Sequence, residues 1–199
     1  MSNYVFAVEG LDDVKSIKDL DPAIVTAARQ AVNKTADRAR ARSARDIRRQ
    51  VNFPASYVSD AEGRLSIVKK ASSDSLEAVI RGRHRATSLA RFISGSPRAG
   101  RGVRVQVKPG SNQFMARAFL IKLRAGNAAI DTKFNMGLAV RTDGAKPAAA
   151  FKPVRLGRNL WLLYGPSVDQ VFRSVAPEIA PEMGDFLEGE FRRLLDLKR

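Results

Sequence analysis

The sequence predicts an α+β fold: a long N-terminal helix, a central mainly antiparallel β-sheet and C-terminal helices. Three observations predict it. Apolar and small residues recur at helical spacing from Pro22 to about Val51, alternate residue by residue at several places between Arg64 and Tyr164, and return to helical spacing after Pro166. With 44% hydrophobic and 28% charged residues, the 199-residue chain has the composition of a globular protein rather than of a disordered one. Its length suits one domain, read as residues 22–199, preceded by an N-terminal arm, residues 1–21.

Asp21-Pro22 is a helix start. Asp accepts from first-turn amides, and proline at the first helical position gives up no needed donor. No Gly or Pro follows until after Val51, and Ile24, Ala28, Ala31, Thr35 and Ala39 line one narrow face of small residues. The same segment carries Arg29, Lys34, Arg38, Arg40, Arg42, Arg45, Arg48 and Arg49 against Asp37 and Asp46. Its later half reads as basic nearly all round. That implies a helix that projects, meets a neighbouring subunit or lies against a polyanion, or else simply a solvated charged face.

Pro54 and Gly63 bracket a short helical turn. Arg64 to Lys70 and Leu76 to Arg81 then read as a hairpin closed by Ser72-Ser73-Asp74. Phe92 to Gly102 holds Gly95, Pro97, Gly100 and Gly102 among Ser94, Ser96, Arg98 and Arg101, and reads as a mobile basic loop. Val103, Val105 and Val107 alternate with Arg104, Gln106 and Lys108; Pro109 to Asn112 turns the chain, and Phe114 to Leu123 is expected to return as one strand. Gly137 to Thr142 and Asn159 to Tyr164 are further strands. Pro166 opens a short helix through Phe172, and Pro177 to Leu197 reads as a separate final helix with Ile179, Met183, Phe186, Leu187, Phe191, Leu194 and Leu195 on its buried side. There is no internal repeat.

The formal charge is +15, from 35 Lys and Arg against 20 Asp and Glu, which makes a polyanion the first partner to consider. From Ala78 to Ile130 there is no acidic residue and there are eleven basic ones, whereas from Pro166 onward seven acidic residues face five basic ones. Adjacent copies can therefore complement one another in charge. Basic positions open to DNA or subunit contact are Arg38, Arg42, Arg45, Arg49, Arg81, Arg83, Arg85, Arg98 and Arg101. No apolar run approaches the length of a membrane span, and Met1 to Gly10 has no leader pattern, so a membrane partner is not expected and the chain is expected to be made in the cytoplasm.

Cysteine is absent, which removes disulfides and thiolate chemistry, and the single histidine, His84, stands among Arg81, Arg83 and Arg85, surroundings hostile to a metal ion. Gly100-Arg101-Gly102 leads into a valine strand rather than a helix, so it is no phosphate loop, and no Walker lysine pattern occurs. For a metal-dependent nuclease the only starting point is Asp131-Thr132-Lys133 with Asp74 or Glu77. No enzyme and no cofactor is therefore expected. Trp161, in an apolar strand, reads as a core or interface anchor rather than a base-stacking platform. The basic tract lacks interleaved aromatics, which argues for backbone contacts over base reading.

The order of these elements, with VRVQVKPG and above all Leu163-Tyr164-Gly165-Pro166-Ser167-Val168-Asp169-Gln170-Val171-Phe172, resembles the phage minor tail protein Z family. Leu89-Ala90-Arg91-Phe92 and Ala118-Phe119-Leu120 add to it, and the resemblance spans about Pro22 to Leu195. The closing segment reads as a structural hinge: Gly165 lets the chain turn, Pro166 starts a helix, and Ser167 and Asp169 satisfy its first amides. Leu163 to Val168 together with Trp161 are thus candidate structural or interface residues. The resemblance implies a tail-completion domain in a virion. It would form a ring-like homo-oligomer at the head-proximal end of the tail or in the neck, around the DNA channel, and would join head to tail beside terminator, connector and tail-tube proteins. The alternative from charge alone is a sequence-nonspecific nucleic-acid-binding protein. Copies inside assembled particles favour the first reading, and free nucleoprotein favours the second.

Overall fold

The computed structural model describes residues 3–7, 17, 20–98, 100–123, 135–143, 145–147 and 152–197. The fold is α+β, and every strand pairing among the described residues is antiparallel. The chain divides into two compact units: Met1–Asp46, Val58–Arg83 and Phe172–Arg199 make the first, Ile47–Tyr57 and His84–Val171 the second.

Helix α1 (Pro22–Gln50) starts as the sequence predicts, with the Ala23 N–H donating to Asp21 Oδ1 at 2.7 Å. Ala28, Ala31, Thr35 and Ala39 are buried, and Thr35 satisfies its hydroxyl on the Ala31 carbonyl. The basic later half does not lose its inner face: Ala39, Ser43 and Ile47, four residues apart, are fully buried. A count of charges hides this stripe, because one small or apolar residue per turn is enough to keep a helix seated while arginines occupy the remaining directions.

In the first unit, Ala27 and Ala31 meet Leu194, with Leu187, Phe191 and Leu195 around them, all on helix α2 (Val168–Asp196). Val32 and Ala36 pack on Ala71 and Ala78. Those two alanines belong to the hairpin of β2 (Leu65–Lys69) and β3 (Glu77–Gly82), where the sequence placed it. Strand β1 (Asn3–Ala7), inside the stretch read as an arm, pairs with β3 and makes it the centre of a three-stranded sheet. Asn33 ties the hairpin to α1 by accepting from the Ala71 N–H and donating to the Ala71 carbonyl.

The expectation of two C-terminal helices fails: α2 is continuous through Pro177 and Pro181. Proline inside a helix removes a donor and crowds the preceding turn, at about 3 kcal/mol. Both rings stand on the solvent side, however, while Val175, Ala176, Ile179 and Met183 remain buried at helical spacing on the other side. Burial of that stripe, at about 1.5–3 kcal/mol per large side chain, outweighs the local cost.

In the second unit, β4 (Thr87–Ser88), β7 (Ala118–Lys122), β8 (Met136–Arg141), β9 (Lys152–Gly157) and β10 (Leu160–Gly165) form one sheet. Strand β10 pairs with β8, β4 and β9. Separately, β5 (Val103–Val105) pairs with β6 (Gln113–Met115). The single return strand from Phe114 to Leu123 is therefore corrected. It breaks at the Ala116-Arg117 turn, β6 serving the ribbon and β7 the larger sheet. Nor is the start of the Phe92 to Gly102 stretch a free loop: Phe92 is buried, its carbonyl accepts from the Gln106 N–H, and the Ser94 N–H donates to the Arg104 carbonyl. The nuclease fragment Asp131 to Lys133 lies outside the described residues.

Candidate structural anchor and basic surfaces

Strand β10 fills the middle of its sheet, and Leu162, Leu163, Tyr164 and Gly165 are all buried. Trp161 is half-buried. Its Nε1–H donates to Thr142 Oγ1 at 3.2 Å, and the Arg155 guanidinium, from the paired strand β9, lies 6.0 Å from the ring centroid. This tethers the indole within its own sheet.

Gly165 is needed for a reason other than the expected sharp turn. Its φ is not among the positive ones. A side-chain Cβ there would sit 3.0 Å from Phe92 Cε2 and 3.5 Å from Leu89 Cδ1. The Phe92 ring cannot easily yield, because Phe53 leans on it with centroids 5.4 Å apart, and Phe53 stacks in turn on Tyr57 at 5.3 Å. Close approach, not backbone freedom, selects glycine here.

Pro166 leads out of the strand and Ser167 caps α2, its Oγ accepting the Gln170 N–H at 3.0 Å. Val168 is fully buried. Asp169, in the first turn of α2, is buried, and its Oδ2 lies 3.1 Å from Nδ1 of the exposed His84. Tyr57 and Thr87 hydroxyls share a hydrogen bond at 3.1 Å nearby in the chain's fold, whereas the Tyr164 hydroxyl is buried with no partner. Burial pushes the Tyr164 phenol above its ordinary value, and the Arg85 charge pulls part of that back.

The nine basic candidates separate into different environments. Arg38 and Arg42 are engaged within the first unit: both reach Glu182, at 3.3 and 2.9 Å, Arg42 also holds Asp46 at 2.8 Å, and Arg38 covers the Phe186 ring at 4.5 Å. Lys34 pairs with Glu190 at 2.6 Å, and Arg40 donates to the Leu65 and Val58 carbonyls. Arg45, Arg49 and Arg81 are exposed, and Arg83 is half-buried with its N–H donating to the Arg64 carbonyl. Arg85 stands exposed before β4. Arg98 and Arg101 are exposed and line depressions in the second unit together with Arg104 and Arg141.

Sequence reasoning missed that two aromatic rings share that surface. Phe114 and Phe119 belong to the walls of the same depressions. The signal was available in the hairpin: Pro109-Gly110, with Gly110 at φ +78, is a turn of the type II kind, and it sets Arg104 opposite Phe114. Among the described residues, no three His, Cys, Asp or Glu side chains converge as a metal site would require, and Glu77 is engaged with Lys69 at 3.3 Å. No helix among them is long and apolar enough to cross a membrane. No protein-family model, no curated protein and no solved structure matches the chain.

Proposed function

We propose that this chain is a structural, non-catalytic protein of a tailed-phage particle. It self-associates at the head-proximal end of the tail or in the neck, around the DNA channel. The observation that carries the proposal is the build of Leu163 to Phe172, the stretch on which the resemblance to the minor tail protein Z family rests. Central strand, close-packed Gly165 and Ser167-capped helix make it a joint whose residues serve packing. An outward surface for a neighbouring copy is available in β9, where Val154 and Leu156 project on one face at 44% and 40% exposure.

Removing the joint should harm assembly rather than chemistry. Gly165→Val overpacks Phe92 and should cost about 1–3 kcal/mol. In a variant shown by circular dichroism to keep its fold, imaging of particles should reveal filled heads with missing or unjoined tails. Normal infectious particles from the folded variant, or purified particles containing no copies of this chain, would overturn the proposal.

A further inference from the structure

We propose that the second unit carries a binding trough for an unpaired nucleic-acid strand, formed by the β5–β6 ribbon, residues 94–98 and 100–102, and the exposed side of β7 and β8. Three depressions of about 410, 420 and 470 Å³ share Gly100, Gly102, Phe119 and Arg141 pairwise, so they adjoin as one surface.

Its walls hold the two things an unpaired strand requires. The first is positive charge without internal compensation. Arg98, Arg101 and Arg104 are exposed and meet no carboxylate among the described residues, and Arg141 lies over the Phe119 ring at 5.7 Å. Only Arg117, at the far end, is held by an acid, Asp143 at 2.6 Å. Guanidinium groups match phosphate oxygens with two parallel hydrogen bonds, so a row of them tracks a sugar-phosphate backbone.

The second is an aromatic face. Alternation in β5 turns Val103 and Val105 into the core and Arg104 outward, and the register places Phe114 directly opposite Arg104. Phe114 is consequently 58% exposed beside a cation. One edge of the ring rests against Gly102 while more than half of it stands in water, and a base stacking on it removes that face from solvent. A duplex keeps its bases stacked internally and would use the arginines alone, leaving the ring idle. The occupant that uses both features is a single strand.

Glycine keeps the trough in shape. At Gly102, φ is +72 and a Cβ would lie 2.7 Å from the Met115 carbonyl oxygen and 2.8 Å from Ala116 Cα, so only glycine lets the loop lie against the β6 end. The loop is thereby pinned beside Phe114, with Arg98 and Arg101 on its outer side.

This inference is independent of the virion reading, and each can fail alone. The test is fluorescence anisotropy of the full chain with a labelled oligothymidylate of about 15 nucleotides, across a salt series, against a duplex of mixed sequence. The unaltered protein should bind the oligomer. Phe114→Ala should weaken it by about 5- to 150-fold, the equivalent of one lost base stack, and Phe114→Trp should restore it. Arg98→Gln, Arg101→Gln and Arg104→Gln together should flatten the slope of log affinity against log salt by about two. All four side chains are exposed, so the thermal midpoint should stay in place. Failure of the oligomer to bind, unchanged affinity in Phe114→Ala, or an equal loss for the duplex would overturn the proposal. So would self-association of the protein that disappears in these same variants, since it would assign the trough to a neighbouring copy.

Discussion

Helix α1 and the trough of the second unit are both rich in cations, but they differ in how many of them the fold itself engages. On α1, Lys34 is taken by Glu190, Arg38 and Arg42 by Glu182 and Asp46, and Arg40 by two carbonyls of its own unit. Around the trough, among the described residues, only Arg117 meets a carboxylate. Four of the eight cations in the densest basic run are thus engaged by the fold, with Arg45 and Arg48 left exposed on it, while the sparser run stands almost wholly outward beside exposed aromatic surface. Net charge states how much attraction a polyanion could feel. Where it is felt depends on which cations remain after the chain has paired its own.

The strongest way to separate the two regions is to damage the packing of one. Ala36 is fully buried against Ala71 and Ala78, and Ala36→Leu adds volume where none is free. Overpacking should destabilise by about 1–3 kcal/mol, and scanning calorimetry should register roughly 2–4 °C for each kcal/mol. Oligothymidylate affinity at low temperature should be unchanged. A matching loss of binding would mean that α1 itself carries the polyanion and that the contrast is false.

A smaller effect is expected from releasing the cations of α1. Glu182→Gln removes the carboxylate that engages Arg38 and Arg42, although Asp46 still holds the latter. With cations set free, the salt dependence of binding to a mixed-sequence duplex should steepen, by up to about 0.9 for each arginine that gains a phosphate. An unaltered slope would show that pairing was not what kept this helix from a polyanion.

What was legible in the sequence was whatever a local period or punctuation encodes. The Asp21-Pro22 start, the small-residue face of α1, the β2–β3 hairpin and the strands β8 and β10 follow from residues that are neighbours in the chain. What was illegible depended on partners distant in sequence. Pro177 and Pro181 look like helix breakers until a buried stripe on the opposite face holds the helix through them. Gly165 looks like a turn residue until Phe92 is seen beside it. Phe114 follows Arg104 by ten positions and reads as unrelated until the Pro109-Gly110 turn brings them face to face. β9 was missed because its Pro153 argues against a strand, a rule that an edge position relaxes.

The smallest expected effect concerns pH, and it tests how firmly α1 keeps its charges. Hydrogen bonds from Arg193 and then Lys34 hold the Glu190 carboxyl down to about 2, against an ordinary 4.5. A carboxylate whose folded value is depressed stabilises the folded state above its unfolded value and loses that contribution as protons fill it. The Glu190 contribution should therefore be complete above about pH 5 and fade as pH falls from about 4.5 towards 2. Lys34 and Arg193 are about half exposed, so salt should screen part of it. In thermal melts, Glu190→Gln should lie below the unaltered protein at pH 6 by a margin that narrows through this window and shrinks in molar salt. A margin that ignores both pH and salt would show that Glu190 acts by shape alone. Lys34 would then be only loosely held, and the charge of α1 would be less absorbed than the comparison with the trough requires.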